Sequence, residues 1–307
     1  MNTPGFITSD VHVASRILND GGVIGIPTET VYGLAARADK EESVGRIFDI
    51  KGRPRNHPLI AHLSAVADPL QWGFFNVHAH ALAAAFWPGP ITLLVPKTDR
   101  VGDWVTGGRN TVGLRVPSLP ITQLLLNEVD EAVVAPSANH FGKVSPTTAS
   151  HVAHDLGSDV DCILDGGQCS IGVESTIVEC VNNLVSVLRP GAVTAEQISR
   201  ITGLRLVSDN SESRAPGMMV SHYAPNATVV LVASAEEAQS KAHAQNLNSG
   251  EWALLNNHDV EQYALTMYDL LRTFDIQAKK VVFAVMPESH GIGEAVRDRL
   301  RKAAAQG

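Results

Sequence analysis

The sequence predicts two α/β units joined by a linker, and three observations carry that prediction. The chain has 307 residues, 44% of them hydrophobic, enough for more than one buried core. Short apolar runs bounded by Gly, Pro and Asx residues alternate with helical patterns in both halves of the chain. Between the halves, "SDNSESRAPGMMVSHYAP" is rich in Ser, Pro and Gly and has no period, the composition of a connection.

Taken in order, "TSDVHVASRILND" places Val11, Ala14, Ile17 and Leu18 on one helical face, with Thr8 or Ser9 as N-cap and Gly21 just past the end. The apolar "GVIGI" reads as a buried strand, and "PTETVYGL" as its exit turn, with Gly33 supplying a positive φ and Tyr32 covering the sheet edge. Further strands are expected in "PLIAHL", "ITLLVPK", "TVGLRVP", "AVVAPS", "CILDGG", "STIVECV" and "LVSVLRPG". Helical patterns near 40–50, 76–86, 119–128 and 147–156 interleave with them, which implies a mixed sheet flanked by helices. The first unit closes on "TAEQISRITG", where Thr194 and Gln197 have capping-box spacing and Gly203 ends the helix. Beyond the linker the pattern resets. "ATVVLVA", "EWALLN" and "KKVVFAVM" read as strands, followed by helical patterns over 234–247 (Ser234 and Glu237 as capping box), 259–274 and 292–305. The expected division is 1–205, a linker at 206–226, and a small three-layer, Rossmann-like α/β unit at 227–307.

Composition narrows the function classes. No apolar stretch approaches the roughly 18 residues of a membrane span, and "MNTPGFITSD" has no basic segment leading into an apolar one, so a cytoplasmic protein is expected. Cys162, Cys169 and Cys180 are spaced for neither a CxxC metal pair nor a disulfide framework, and are expected to be reduced, structural thiols. A formal charge of −8 and 5% aromatic content argue against a nucleic-acid surface and for small anions held locally. The pairs His78/His80 and His151/His154 lack a carboxylate or HExxH context, so no metal site is expected.

Three segments carry polar groups that a core does not need. "PTETVYGL" spends two threonines, a glutamate and a tyrosine on a strand exit. "KGRPRNHPLIAH" holds Lys51, Arg53 and Arg55 beside two proline-fixed bends, on stiff backbone suited to triphosphate or carboxylate binding. "APSANHFGKVSPT" offers Ser137, Asn139, Lys143 and Ser145. Neither standard glycine cradle for a nucleotide is present, so phosphates would meet side chains: Lys51, Arg53, Lys143 and Arg189 of "LRPG". Arg115 in "GLRVP" alternates with Leu114 and Val116 and so points to the other face of its strand. Buried there, it needs an anion, either a protein carboxylate or a ligand carboxylate. "GVEST" superficially resembles a serine elbow without the G-x-S-x-G spacing, and Ser175 reads as a binding hydroxyl.

In this order, "PTETVYGLAA", "KGRPRNHPLIAH", "FWPGPITLLVPK", "TVGLRVP", "APSANHFGKVSPT", "ILDGG", "GVESTIV", "LRPG" and "APGMMVSHYAP" resemble the threonylcarbamoyl-AMP synthase family in its long form, a YrdC-like catalytic domain plus a C-terminal domain. The resemblance implies a nucleotidyltransferase with a YrdC-like twisted mixed sheet. It would make L-threonylcarbamoyladenylate and diphosphate from L-threonine, bicarbonate and ATP, for threonylcarbamoyl-adenosine modification of tRNA. It assigns L-threonine to Thr30, His62, Arg115, the backbone at Ala135, and Ser175. It assigns ATP to Arg53, His57, Thr111, Ser137, Ser145, Arg189 and Tyr223, with phosphate contacts from Lys51 and Asn139; His57 stands where relatives often have asparagine. No covalent or acid–base residue is implied, only positioning by Lys51 and Arg53. The resemblance also implies Mg2+ carried with ATP, no metal held by the protein alone, and a downstream tRNA threonylcarbamoyl-transfer complex as recipient of the product. No membrane and no tight nucleic-acid binding are expected. The linker, bearing Met218, Met219, His222 and Tyr223, is expected to act as a lid.

Overall fold

The structure, a computed structural model, describes residues 6–182, 184–206 and 223–305. Most of the linker, with Met218, Met219 and His222, lies outside the described residues, and so does the expected lid apart from Tyr223 and its immediate neighbours.

The first unit runs β1 (Phe6–Thr8), α1 (Val11–Asn19), β2 (Ile24–Ile26), β3 (Gly33–Arg37), α2 (Glu41–Lys51), β4 (Ile60–His62), α3 (Val77–Phe86), β5 (Ile91–Pro96) and the single turn α4 (Asp103–Thr106). It continues with β6 (Thr111–Arg115), α5 (Pro120–Val129), β7 (Val133–Val134), α6 (Ala149–Leu156), β8 (Cys162–Leu164), β9 (Thr176–Val181), β10 (Leu184–Arg189) and α7 (Ala195–Thr202). Its strands form one mixed ten-stranded sheet in the order β1-β8-β2-β3-β7-β4-β6-β5-β9-β10. On one face α1 and α5 bury Ala14, Leu18, Leu125 and Leu126 against Ile24, Ile26 and Leu164. On the other, α2, α3, α6 and α7 contribute Val44, Ile47, Leu82, Val152 and Ile198 to the larger core.

Two strands were not expected. Phe6–Thr8 pairs in parallel with β8, so α1 starts later than residue 8. Its N-cap is Asp10, whose carboxylate accepts from the amides of His12 and Val13, in place of Thr8 or Ser9. The second is β3. "GLAAR" turns back antiparallel to β2, with Ile24 opposite Ala35 and Ile26 opposite Gly33, so "PTETVYGL" is the connection of two central strands. Gly33 does not adopt a positive φ. Glycine is needed there because a Cβ would lie 2.9 Å from that of Ala135.

The second unit comprises β11 (Thr228–Val232), α8 (Ala235–Ala244), β12 (Trp252–Leu255), α9 (Val260–Ile276), β13 (Val281–Val285) and α10 (Gly293–Ala304). Its sheet is parallel in the order β11-β13-β12. α8 covers one face through Ala238 and Ala242, and α9 with α10 covers the other. Ser234 accepts from the Glu237 amide, but Glu237 returns its carboxylate to Ala233 rather than Ser234, an offset version of the expected box.

The α9/α10 core does not stop at the second unit. It includes Val31, Val144 and Val173 of the first, together with Tyr223. Gly172, at φ +86°, approaches α9 so closely that a Cβ would lie 2.4 Å from the Ala264 carbonyl oxygen. Cys162, Cys169 and Cys180 are free and buried, and burial pushes each thiol up to about 12. No helix among the described residues is long and apolar enough to cross a membrane.

Candidate active site

The site begins at the β2–β3 connection. Thr28 Oγ1 donates to the Val31 carbonyl at 2.6 Å and accepts from the amides of Thr30 and Val31, a turn closed by its own hydroxyl. That turn seats Thr30, fully buried, with its hydroxyl 2.8 Å from that of Thr28. Tyr32 anchors the far side by donating to the Gly167 carbonyl at 2.7 Å. The polar residues of "PTETVYGL" thus shape a rigid floor.

β4 and β6 are parallel neighbours that place His62 opposite Arg115, on the face away from the buried Leu114. His62 is buried, and its Nδ1 lies 3.2 Å from the Ile60 carbonyl. Burial first, and then the Arg115 charge, push the imidazole down to about 3, so it is neutral at physiological pH. Arg115 is buried too, and its partner is a protein carboxylate: Nη2 lies 2.8 Å from Glu29 Oε1. The two groups touch without aligning. Glu29 Oε1, Arg115 Nε and Arg115 Nη2 make no well-angled hydrogen bond among the described residues. A planar guanidinium with two unfilled donors is suited to a second carboxylate.

The opposite wall comes from the segment after β7 and from the β9 and β10 ends. Lys51, the last residue of α2, is buried and donates to the carbonyls of Ser137 and Asn139, each at 2.6 Å. Burial lowers its pKa well below the usual lysine value, and Arg53 adds to that. Asn139 gives its side-chain amide to the carbonyls of His140 and Lys143. Both residues pin the loop that carries Ser137, and neither lines the cleft. The Lys51 ammonium and the Asn139 amide nitrogen donate to backbone carbonyls, while Asn139 Oδ1 is buried without a partner among the described residues. Arg53 does line it. Its Nη2 donates to the Pro58 carbonyl at 3.0 Å, and its pKa falls to about 10 through burial, with Tyr223 opposing and Arg189 adding. Arg189 donates from Nε to the Ser175 carbonyl and from Nη2 to its hydroxyl, at 3.0 and 3.1 Å.

These elements line one narrow cleft. It brings together Thr30, His62, Arg115, Ala135 and Ser175 with Arg53, Ser137, Arg189 and Tyr223. The Ala135 amide is already spent on the Ile60 carbonyl, so only its carbonyl and methyl remain for a ligand. Three expected nucleotide residues are outside the lining. His57 packs edge-on to Phe141 at 5.5 Å, Thr111 opens β6 opposite Pro96, and Ser145 donates its hydroxyl to Glu174 at 2.6 Å. Two carboxylates escaped the sequence reading. Glu29 was visible only as one more polar residue in a turn, and Glu174 as a lone acid in the apolar run "IGVESTIV". Glu174 lines the cleft and is held by Ser145, by Tyr268 and by Arg299, the last at 2.8 Å. Burial opposes its ionisation, but Arg299, Arg189 and the hydrogen bonds outweigh it and hold the pKa at about 2. A wider groove lined by His151, Asp155 and Arg272 is internally compensated, with Arg272 on Asp155 and His151 on Asp269.

Arginines, a neutral imidazole and hydroxyls meet in one cleft at the strand ends of a mixed sheet: this defines an α/β enzyme of small, anionic substrates. A family model described as "Telomere recombination", covering the Sua5, YciO and YrdC proteins, matches residues 16–191, and one described as "Threonylcarbamoyl-AMP synthase, C-terminal domain" matches residues 193–305. The chain is 37% identical to a threonylcarbamoyl-AMP synthase of Pyrococcus abyssi, over 95% of this chain and 93% of that protein. It is 36% identical to one of Bacillus subtilis, over 97% of this chain and 94% of that protein. Its fold is similar to the crystal structure of P. abyssi Sua5 complexed with L-threonine, with TM-score 0.89 and 34% identity over 98% of this chain and 96% of that one. The chain belongs to the threonylcarbamoyl-AMP synthase family, in its two-domain form.

Proposed function

We propose that this cleft runs the family's reaction, in which L-threonine, bicarbonate and ATP give L-threonylcarbamoyladenylate and diphosphate, the adenylate serving threonylcarbamoyl-adenosine modification of tRNA. The observation that carries the reading is the convergence of Thr30, His62 and Arg115 with Arg53, Ser137 and Arg189 around one cleft. The catalytic unit is taken as 1–205, the linker as 206–226 and the second unit as 227–307.

L-threonine lies over the β2–β3 connection. Its carboxylate meets Arg115 through the donors that Glu29 leaves unaligned, and the Thr30 and Ser175 hydroxyls and neutral His62 fix its polar end. Arg53, Ser137, Arg189 and Tyr223 take the nucleotide, with His57, Thr111 and Ser145 placed behind the mouth. The threonine amine forms a bond to the carbon of bicarbonate as its C–OH bond breaks and water leaves with a proton from nitrogen, or to CO2 as a C=O π pair moves to oxygen and the nitrogen proton passes to solvent, giving a carbamate. A carbamate oxygen then bonds to the α-phosphorus, the bond to the β-phosphate oxygen breaks, and diphosphate leaves with its electron pair. No protein nucleophile takes part. Orientation alone can supply about 7–11 kcal/mol of the barrier in well-aligned cases. The arginines add fixed charge where phosphate charge develops.

Magnesium enters as part of Mg·ATP. Glu29 and Glu174 are both committed to arginines, and no cluster of three His, Cys, Asp or Glu residues suited to a metal occurs among the described residues, so the donor set fits an ion held by phosphates and water. The product passes to a tRNA threonylcarbamoyl-transfer complex in the cytoplasm, without tight nucleic-acid binding by this chain. The test is diphosphate release from ATP with and without L-threonine and bicarbonate, repeated on Arg115→Ala. Release that needs both substrates and is lost in the variant is expected. Release indifferent to L-threonine sinks the reading.

A further inference from the structure

The cleft wall at Glu174 is finished by residues of the second unit. Tyr268 of α9 donates to the carboxylate, 3.2 and 3.1 Å from its two oxygens, and Arg299 of α10 donates Nε at 2.8 Å. Arg299 is 1% exposed, and Asp298 holds its Nη1 at 2.7 Å. Tyr223, which lines the same cleft, stacks on Tyr268 at 5.8 Å and lies under the Arg299 guanidinium at 5.3 Å. Two residues before Glu174, Gly172 rests on the α9 backbone, and Val31 and Val173 join the α9/α10 core. The neighbour of Glu174 in the chain is Ser175, which Arg189 grips from the other side.

We propose that the second α/β unit is a working part of the substrate cleft: Arg299 and Tyr268 are positioning residues that fix the Glu174 carboxylate on their own side, so that Arg189 stays on Ser175 and on the nucleotide. Glu174 is ionised at physiological pH and lies within the field of Arg189 as well as of Arg299. Take Arg299 away and the buried carboxylate loses its nearest cation. Arg189 becomes its counter-ion, and the nucleotide residues lose positive charge while the threonine residues lose only the Arg189 hold on Ser175, with Arg115 and Glu29 untouched. The proposal rests on the nucleotide assignment made above.

The test uses the full chain and two readouts, the KM for ATP in threonine-dependent diphosphate release and the Kd for L-threonine by calorimetry. Arg299→Met is expected to raise the ATP KM about tenfold or more and to weaken threonine binding by a clearly smaller factor, through Ser175 alone. Tyr268→Phe, which removes one hydroxyl and keeps the packing, is expected to raise it about threefold and covers the case in which Arg299→Met does not fold. Adding Glu174→Gln to Arg299→Met restores most of the ATP affinity, since a neutral amide does not compete for Arg189. An unchanged ATP KM in both single variants overturns the inference. So does a loss shared equally by both ligands, tracking the melting temperature and not rescued by Glu174→Gln. Arg53→Ala separates the two levels: if it leaves the ATP KM unchanged, the nucleotide assignment itself has failed.

Discussion

Glu29→Gln isolates the charge that Arg115 leans on. Glu29 and Arg115 are 5% and 4% exposed and touch at 2.8 Å, so the substitution removes the only carboxylate paired with that guanidinium among the described residues. The amide keeps the shape and can still accept from the Ser118 amide, a contact of 3.3 Å, but it turns either a neutral oxygen or a donor toward Arg115. Breaking a buried pair costs about 3–5 kcal/mol, and the poor alignment of this one places it at the low end, about 3 kcal/mol. At about 2–3 °C per kcal/mol for a chain of this size, the melting temperature falls by about 6–9 °C. Saturating L-threonine returns an anion to Arg115. Its stabilising shift in a thermal-unfolding assay is therefore larger in the variant than in the parent. A variant that melts within about 1 °C of the parent would show that the pair contributes little. One that melts lower but gains no more from L-threonine than the parent would refute the placement of the substrate carboxylate on Arg115.

Two further outcomes follow from the same geometry. His62 has a folded pKa of about 3 against 6.5 when unfolded, so the unfolded chain binds a proton that the native one refuses between those values. Stability is therefore present above pH 6.5 and falls as pH drops toward 3, by up to about 1.4 kcal/mol per unit. Urea midpoints between pH 7 and 5 should decline in the parent and decline less in His62→Asn, and equal slopes would contradict the assignment. Gly172→Ala forces a Cβ to within 2.4 Å of the Ala264 carbonyl oxygen at a φ of +86°. It should cost about 2 kcal/mol or more, read as a lower melting temperature, and weaken ATP binding together with the docking of α9.

What the sequence made legible was mostly local. The helix over Ala195–Thr202 announced itself through Thr194 and Gln197, which form a complete capping box, with Gly203 in the left-handed conformation beyond it. β3 gave no such signal. "GLAAR" has weak strand propensity and exists because β2 and β7 flank it, partners fixed by distant pairing. At the site, hydroxyls and arginines on strand exits were readable because a core does not need them. The carboxylates that tune them were not, since Glu174 meets Arg299 across 125 positions of chain. The setting of Lys51 was hidden for a related reason. In sequence it is one of three cations on a loop, and only burial shows that its ammonium is spent on the carbonyls of Ser137 and Asn139.

The charge balance of the cleft explains why two of its arginines face protein acids. Three buried arginines line it, Arg53, Arg115 and Arg189, with the buried Glu174; buried Glu29 and Arg299 stand behind Arg115 and Glu174. Glu29 takes Arg115, and Glu174 takes Arg299. Burial lowers the pKa of Arg53 to about 10 and lowers that of Arg189 as well. Burying these cations costs folding free energy, and an anion of high charge repays it on binding. A neutral or cationic ligand would not. A cleft lined by Arg53, Arg115 and Arg189 can thus favour an anionic ligand without a glycine-rich cradle, while Glu29 and Glu174 hold Arg115 and Arg299.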